Sequence, residues 1–260
     1  MNKSSGGFAH RWLTVIAVLM AIAVNAFSNF FPPAGKNIGE VSNTTLAGVL
    51  ITPAGYAFAI WGLIYIGLIS YSIFQTLPRQ QKPTVAYISW LLVSACLLQM
   101  SWVYVFLLSQ FWISVAFIVG ILVCLAFAYK RSRMVKPSRK NRWLLQAPLS
   151  LYFGWITVAT VVNISSAIFV SSGQGALAQT SNLAVVCTVA MMAVSAGLAV
   201  AVALKFQDAI FPAVTVWALI AIAIRQADIL PIAFSAVFLA VGVFIVLLRT
   251  VLFKSRRFFS

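Results

Sequence analysis

Long apolar runs alternate with short polar breaks along the whole chain. The runs extend from Trp12 to Phe31, Tyr56 to Leu77, Val85 to Ser109, Phe111 to Tyr129, Leu144 to Val170, Asn182 to Leu204, Ala209 to Ile224 and Ile229 to Leu248. Each comes close to the roughly 20 residues that a helix needs to cross a hydrocarbon core about 30 Å thick, once tilt is allowed. The pattern predicts an all-α, polytopic helical membrane protein with about eight transmembrane helices. The stretch from Val85 to Tyr129 is too long for one span and is interrupted only by the polar step Ser109-Gln110. A tight turn is expected there.

Composition sharpens that picture. Of 260 residues, 62% are hydrophobic and only 8% are charged, far below the roughly 25% charged residues of a soluble domain. A water-facing globular surface cannot be built from this chain. Eighteen Lys and Arg stand against three Asp and Glu, for a net charge of +15. Nucleic-acid binding would need those cations gathered on one folded face, whereas here they lie between the apolar runs. They read as orientation signals, because cytoplasmic loops collect Lys and Arg. With eight spans and the N-terminus inside, only Lys36 and Arg225 fall outside. Membrane lipid is thus the expected partner and nucleic acid is not. Both termini are expected to be cytoplasmic, the membrane being the bacterial cytoplasmic one.

The first run has a second reading as a signal peptide, since Lys3 and Arg11 precede it and Val24-Asn25-Ala26 resembles a cleavage site. The apolar run continues to Phe31, which favours a retained helix. Cys96, Cys124 and Cys187 lie inside three different runs, where thiols usually pack as small hydrophobes.

Intramembrane ionisable groups are costly, so their presence marks pumps and relays. None is expected at depth here. Glu40 lies in the long loop from Pro32 to Thr52, while Asp208 and Asp228 flank the seventh run. Asp208 is expected to balance Lys205, and Asp228 to pair with Arg225. The only histidine, His10, is at the inner boundary, so neither histidine-ligated haem nor a Ser-His-Asp triad can be assembled. No metal-ligand spacing occurs.

Aromatic and neutral polar residues are what the runs do place at depth. Trp61 and Tyr65 share one helix face at i,i+4, as do Trp102 and Phe106, with Gln99 one turn earlier. Tyr152, Trp155, Ala159 and Asn163 form a stripe on the fifth run. Such stripes serve either as packing or as the wall of a ligand pocket, and both readings stand. Trp12, Trp90, Trp112 and Trp143 read as interfacial anchors. The Pro32 to Thr52 loop is either a lid or a tolerated surface loop. The basic segment from Lys130 to Arg142 is either a topology determinant or a contact for anionic lipid headgroups.

At these residues the chain resembles the TspO/peripheral benzodiazepine receptor family, the tryptophan-rich sensory proteins. The run Thr52-Pro53-Ala54-Gly55-Tyr56-Ala57-Phe58-Ala59-Ile60-Trp61-Gly62-Leu63-Ile64-Tyr65 is similar to the family's second-helix signature, and Tyr152 to Asn163 is similar to its fifth. Gln99 to Phe106 resembles the third-helix pattern. A proline usual two places before the second-helix Trp is Ala59 here, and the third-helix Asn is Gln99. The motifs cover residues 10–170. Leu125 to Arg131 also fits a loose sterol-contact pattern.

The resemblance implies a TspO-like five-helix bundle over residues 1–170, followed by three additional helices and a basic tail over 171–260. It also implies a receptor or regulatory protein that binds a flat hydrophobic ligand, with tetrapyrroles such as protoporphyrin the recurrent class and no resident cofactor. Trp61, Tyr65, Trp102, Phe106 and Trp155 would supply stacking surface, Ala159 clearance and Asn163 a hydrogen bond. The alternative is a transporter of small hydrophobic solutes, although no buried carboxylate relay or repeat between halves supports coupling. A third reading is an enzyme acting on the bound pigment. In the last three helices Ala193, Gly197 and Ala201 put small residues on one face, suited to packing on the bundle or to a homo-oligomer contact.

Overall fold

The computed structural model describes residues 5–80, 82–136, 138–173 and 181–256, and no β-strand occurs among them. Lys3 and Arg257, both part of the charge pattern, lie outside them. The helices are α1 (Ser5–Phe30), α2 (Ile38–Asn43), α3 (Ile60–Phe74), α4 (Pro83–Leu107), α5 (Phe111–Ser132), α6 (Arg139–Asn141), α7 (Ala147–Ser171), α8 (Asn182–Phe206), α9 (Ile210–Arg225) and α10 (Leu230–Arg256). A 3-10 turn, Gly55–Ala59, leads into α3, and a π turn, Arg142–Gln146, joins α6 to α7. Among the described residues seven helical segments are long and apolar enough to cross a membrane. They coincide with seven of the eight expected runs. The other run is α9, apolar but only 16 residues long, or about 24 Å at 1.5 Å per residue.

The helix ends follow local chemistry. Pro83 occupies the first turn of α4, where its missing N–H costs nothing. Between α4 and α5 the expected turn is present. Ser109 adopts φ 59°, its N–H donates to Phe106 O at 3.0 Å, and Gln110 N–H donates to Val105 O at 3.0 Å. That pair of bonds is a Schellman motif, which satisfies carbonyls left open at a helix end. Ser181 caps α8 by accepting from Ala184 N–H, and Asp208 accepts from Ile210 N–H at 3.0 Å, placing a carboxylate at the positive end of α9.

The contacts divide the chain into two units, one of residues 1–38 and 60–156 and the other of 39–59 and 157–260. In the first, α4 packs along both α1 and α5, and α1 also packs on α3. The helices approach closely at Gly67, where an added Cβ would stand 3.2 Å from Pro148 Cβ, a contact that a side chain could make only if Pro148 gave way slightly. A buried polar chain ties one end of this unit together. Tyr71 Oη and Ser89 Oγ lie 2.9 Å apart, Ser89 Oγ donates to Gln75 Oε1, and Gln75 Nε2 donates to Arg11 O at 2.9 Å. Arg11 in turn donates to Thr76 O, and the Arg131 guanidinium lies over the Tyr87 ring. The start of α1, the end of α3, the start of α4 and the end of α5 therefore share one basic end. This is the antiparallel arrangement that the charge pattern requires.

In the second unit α10 packs on α9 and α8, α8 packs on α9, and the 3-10 turn rests on α9. On α8 the buried face is Met192, Ala196, Ala199 and Ala203, whereas Ala193, Gly197 and Ala201 are exposed. The small-residue stripe thus faces outward and does not pack inside the chain.

Candidate functional site

The first unit brings Trp61, Tyr65, Gln99 and Tyr152 into direct contact. Gln99 is buried on α4, and its amide uses both ends. Nε2 donates to Tyr65 Oη at 3.1 Å, while Oε1 accepts from Tyr152 Oη at 2.6 Å. An unpaired amide or hydroxyl would be costly in a hydrocarbon setting, and this arrangement spends those groups on one another. Trp61 lies against both tyrosines, with its ring centroid 5.4 Å from Tyr65 at 30° and 5.9 Å from Tyr152 at 63°. Such pairs contribute about 0.5–1.5 kcal/mol beyond the area they bury. Tyr152 is fully buried, whereas Trp61 and Tyr65 are half-buried. The cluster is a rigid hydrogen-bonded floor beneath a partly open aromatic face.

Trp102 and Phe106 continue the face of α4 that carries Gln99. Both are buried; their rings stack 5.1 Å apart, and Phe106 meets Phe111 edge-on at 5.4 Å. Trp155 is buried one turn beyond Tyr152 on α7. Five of the seven residues expected to line a pocket, Trp61, Tyr65, Trp102, Phe106 and Trp155, therefore belong to the first unit. Half-buried Ala159 and buried Asn163 fall in the second. Gln99, which the sequence marked only as a polar residue near Trp102, is the residue that joins three helices. Its partners stand 34 and 53 positions away, beyond the reach of local spacing.

The second unit holds a feature that the sequence did not reveal. Arg225, expected to pair with Asp228, instead clamps the long loop; no ion pair with Asp228 forms. Its guanidinium donates to Asn43 Oδ1 at 2.8 Å, Ser42 O at 3.0 Å and Pro53 O at 3.4 Å. Gln226 Nε2 donates to Leu50 O at 2.8 Å, Ala54 N–H to Ala221 O, and Trp217 Nε1 to Ala57 O. The planar, multi-donor guanidinium suits this role because it satisfies several carbonyls at once. The segment from Gly39 to Ala59 is thereby fastened to α9 and to the turn after it.

Beside this loop a cleft of about 450 Å³ opens between the end of α7 and the start of α8, lined by Leu50, Ile51, Phe169, Leu183, Cys187 and Met191, among others. That volume falls in the range of small-molecule sites. Hydroxyls in its wall are engaged within the protein: Ser165 Oγ donates to Val161 O and lies 3.2 Å from Met191 Sδ, and Thr188 Oγ1 donates to Ala184 O. The cleft thus presents hydrocarbon. Among the described residues no three His, Cys, Asp or Glu gather as a metal site.

In the sterol-like pattern, Leu125 and Tyr129 are buried, and Tyr129 packs on Phe153 at 5.3 Å. Its central aromatic is turned inward and away from lipid.

A family model described as TSPO-like protein matches residues 11–249. The match runs past Val170, where the recognisable motifs end, and takes in the last three helices. No curated protein and no solved structure matches the chain.

Proposed function

Since the chain belongs to the TSPO-like protein family and is an integral membrane protein, we propose that it is a receptor or regulatory protein for a flat hydrophobic ligand of the tetrapyrrole class. The observation that supports this reading is the half-open Trp61–Tyr65 pair over the floor made by Gln99 and Tyr152. The two rings are tilted by only 30°, so a planar ligand extends the stack with little rearrangement. Trp102, Phe106 and Trp155 add further buried aromatic surface in the same unit. The protein lies in the bacterial cytoplasmic membrane with both termini cytoplasmic.

Titration of the purified protein with protoporphyrin IX, followed by quenching of tryptophan fluorescence, tests the binding. Saturable quenching is expected, and a linear, non-saturating response contradicts it. Protoporphyrin release from loaded proteoliposomes separates receptor from transporter. A receptor leaves the release rate equal to that of protein-free vesicles, whereas protein-dependent flux supports transport.

A further inference from the structure

We propose that the niche between Tyr87 on α4 and the last turns of α5 binds the phosphate headgroup of an anionic membrane phospholipid. The niche encloses about 300 Å³ and is lined by Tyr87, Phe127, Lys130, Arg131 and Met134. Phe127, Lys130 and Arg131 fall at i, i+3 and i+4 on one face of α5, and Met134 follows in the turn just after it. Lys130 and Arg131 are exposed, as are Tyr87, Phe127 and Met134. Cations and apolar side chains therefore meet at one exposed spot.

Depth gives this combination its meaning. Phe127 lies one turn, about 6 Å, nearer the centre of the span than Arg131. An acyl chain packs against Phe127 while the phosphate reaches the two cations above it. Arg131 is already held in place, its guanidinium 5.7 Å from the Tyr87 ring centroid and donating to Met134 Sδ at 3.7 Å. Arg133, two residues on, turns to the Tyr129 ring instead, 4.5 Å from its centroid. Of these three neighbouring cations, Arg133 is thus spent on internal packing, while Lys130 and Arg131 are presented at the niche. Headgroup selectivity follows from charge. Two cations favour a net-negative headgroup, none of the three acidic residues lines the niche to receive the ammonium of a zwitterionic lipid, and the Tyr87 face is taken by Arg131.

The full-length protein, in detergent and doped with phosphatidylglycerol or phosphatidylcholine, is assayed by native mass spectrometry for retained lipid. Saturable retention of phosphatidylglycerol over phosphatidylcholine is expected. Lys130→Gln with Arg131→Gln is expected to weaken it about 30-fold, from about 1 kcal/mol per interfacial cation. The pair Arg139→Gln and Lys140→Gln removes the same charge from the same loop and is expected to leave retention within about threefold, since these residues do not line the niche. All four positions are exposed, and circular dichroism confirms that each variant folds. Equal loss in both pairs overturns the proposal in favour of diffuse attraction, as does equal retention of phosphatidylcholine. Full displacement by inorganic phosphate overturns the lipid assignment, because a bare anion cannot replace contacts to Phe127.

Discussion

Gln99 is where a single side chain carries the most structural consequence. Replacing it with leucine leaves the buried Tyr152 hydroxyl without its acceptor and releases Tyr65. We expect a loss of about 1–2 kcal/mol, the range of a buried polar group orphaned between membrane helices. Thermal unfolding in detergent measures this, and an unchanged melting temperature contradicts the bridging role. Arg225 makes a comparable demand on geometry. Arg225→Lys keeps the charge but cannot span three acceptors, so hydrogen exchange in residues 39–54 is expected to rise nearly as far as in Arg225→Ala. Protection equal to wild type in the lysine variant would mean that charge alone holds the loop. Neither role was legible from spacing. Tyr65 and Tyr152 were visible as aromatic positions, but which amide joined them depends on how three helices pack. Arg225 read as an interfacial charge because its nearest acid in sequence is Asp228, whereas its acceptors lie more than 170 residues earlier.

Helices were far more legible than individual contacts. A spanning helix needs a long uninterrupted apolar run, and that signal survives in composition alone; seven of the eight expected runs therefore match long helices closely. The α4–α5 break was legible for a related reason, since two polar residues inside so long a run have no other use. Its conformation tests the reading. Ser109 sits at φ 59°, which glycine adopts without steric penalty, so Ser109→Gly is expected to raise stability by about 0.5–1 kcal/mol. Destabilisation of that size would show that the serine side chain contributes more than the strain costs. At the Gly67 crossing the sign reverses. Leucine there is expected to cost about 1–3 kcal/mol, because its Cβ would stand only 3.2 Å from Pro148 Cβ and the rest of the side chain must find room beside it. What the helix pattern could not show is the fastening of the Pro32 to Thr52 loop, whose later part belongs with α9, or the cleft beside it. Loop conformation is set by distant acceptors, and cavities arise from imperfect fit between helices.

At the scale of the whole molecule, a net charge of +15 with three acids sets the limits of function. Three acids leave little material for carboxylate relays, while aromatic rings and the Gln99 amide make up the cluster in the first unit. The proposed recognition of a flat ligand rests on family membership and on the aromatic face. The proposed orientation rests on the charge pattern, and a membrane-impermeant thiol reagent tests it in intact cells. A cysteine at Lys36 is expected to react and one at Lys140 to be protected; the reverse would invert the topology. Ligand recognition itself is tested most directly by comparing protoporphyrin affinity in wild type, Trp61→Ala and Trp112→Ala. Trp112 is an exposed tryptophan at the start of α5 and serves as the control. We expect Trp61→Ala to weaken binding about tenfold, the loss of one to two stacking contacts, with Trp112→Ala unchanged. Equal affinity in all three proteins would contradict a ligand site at the Trp61–Tyr65 face.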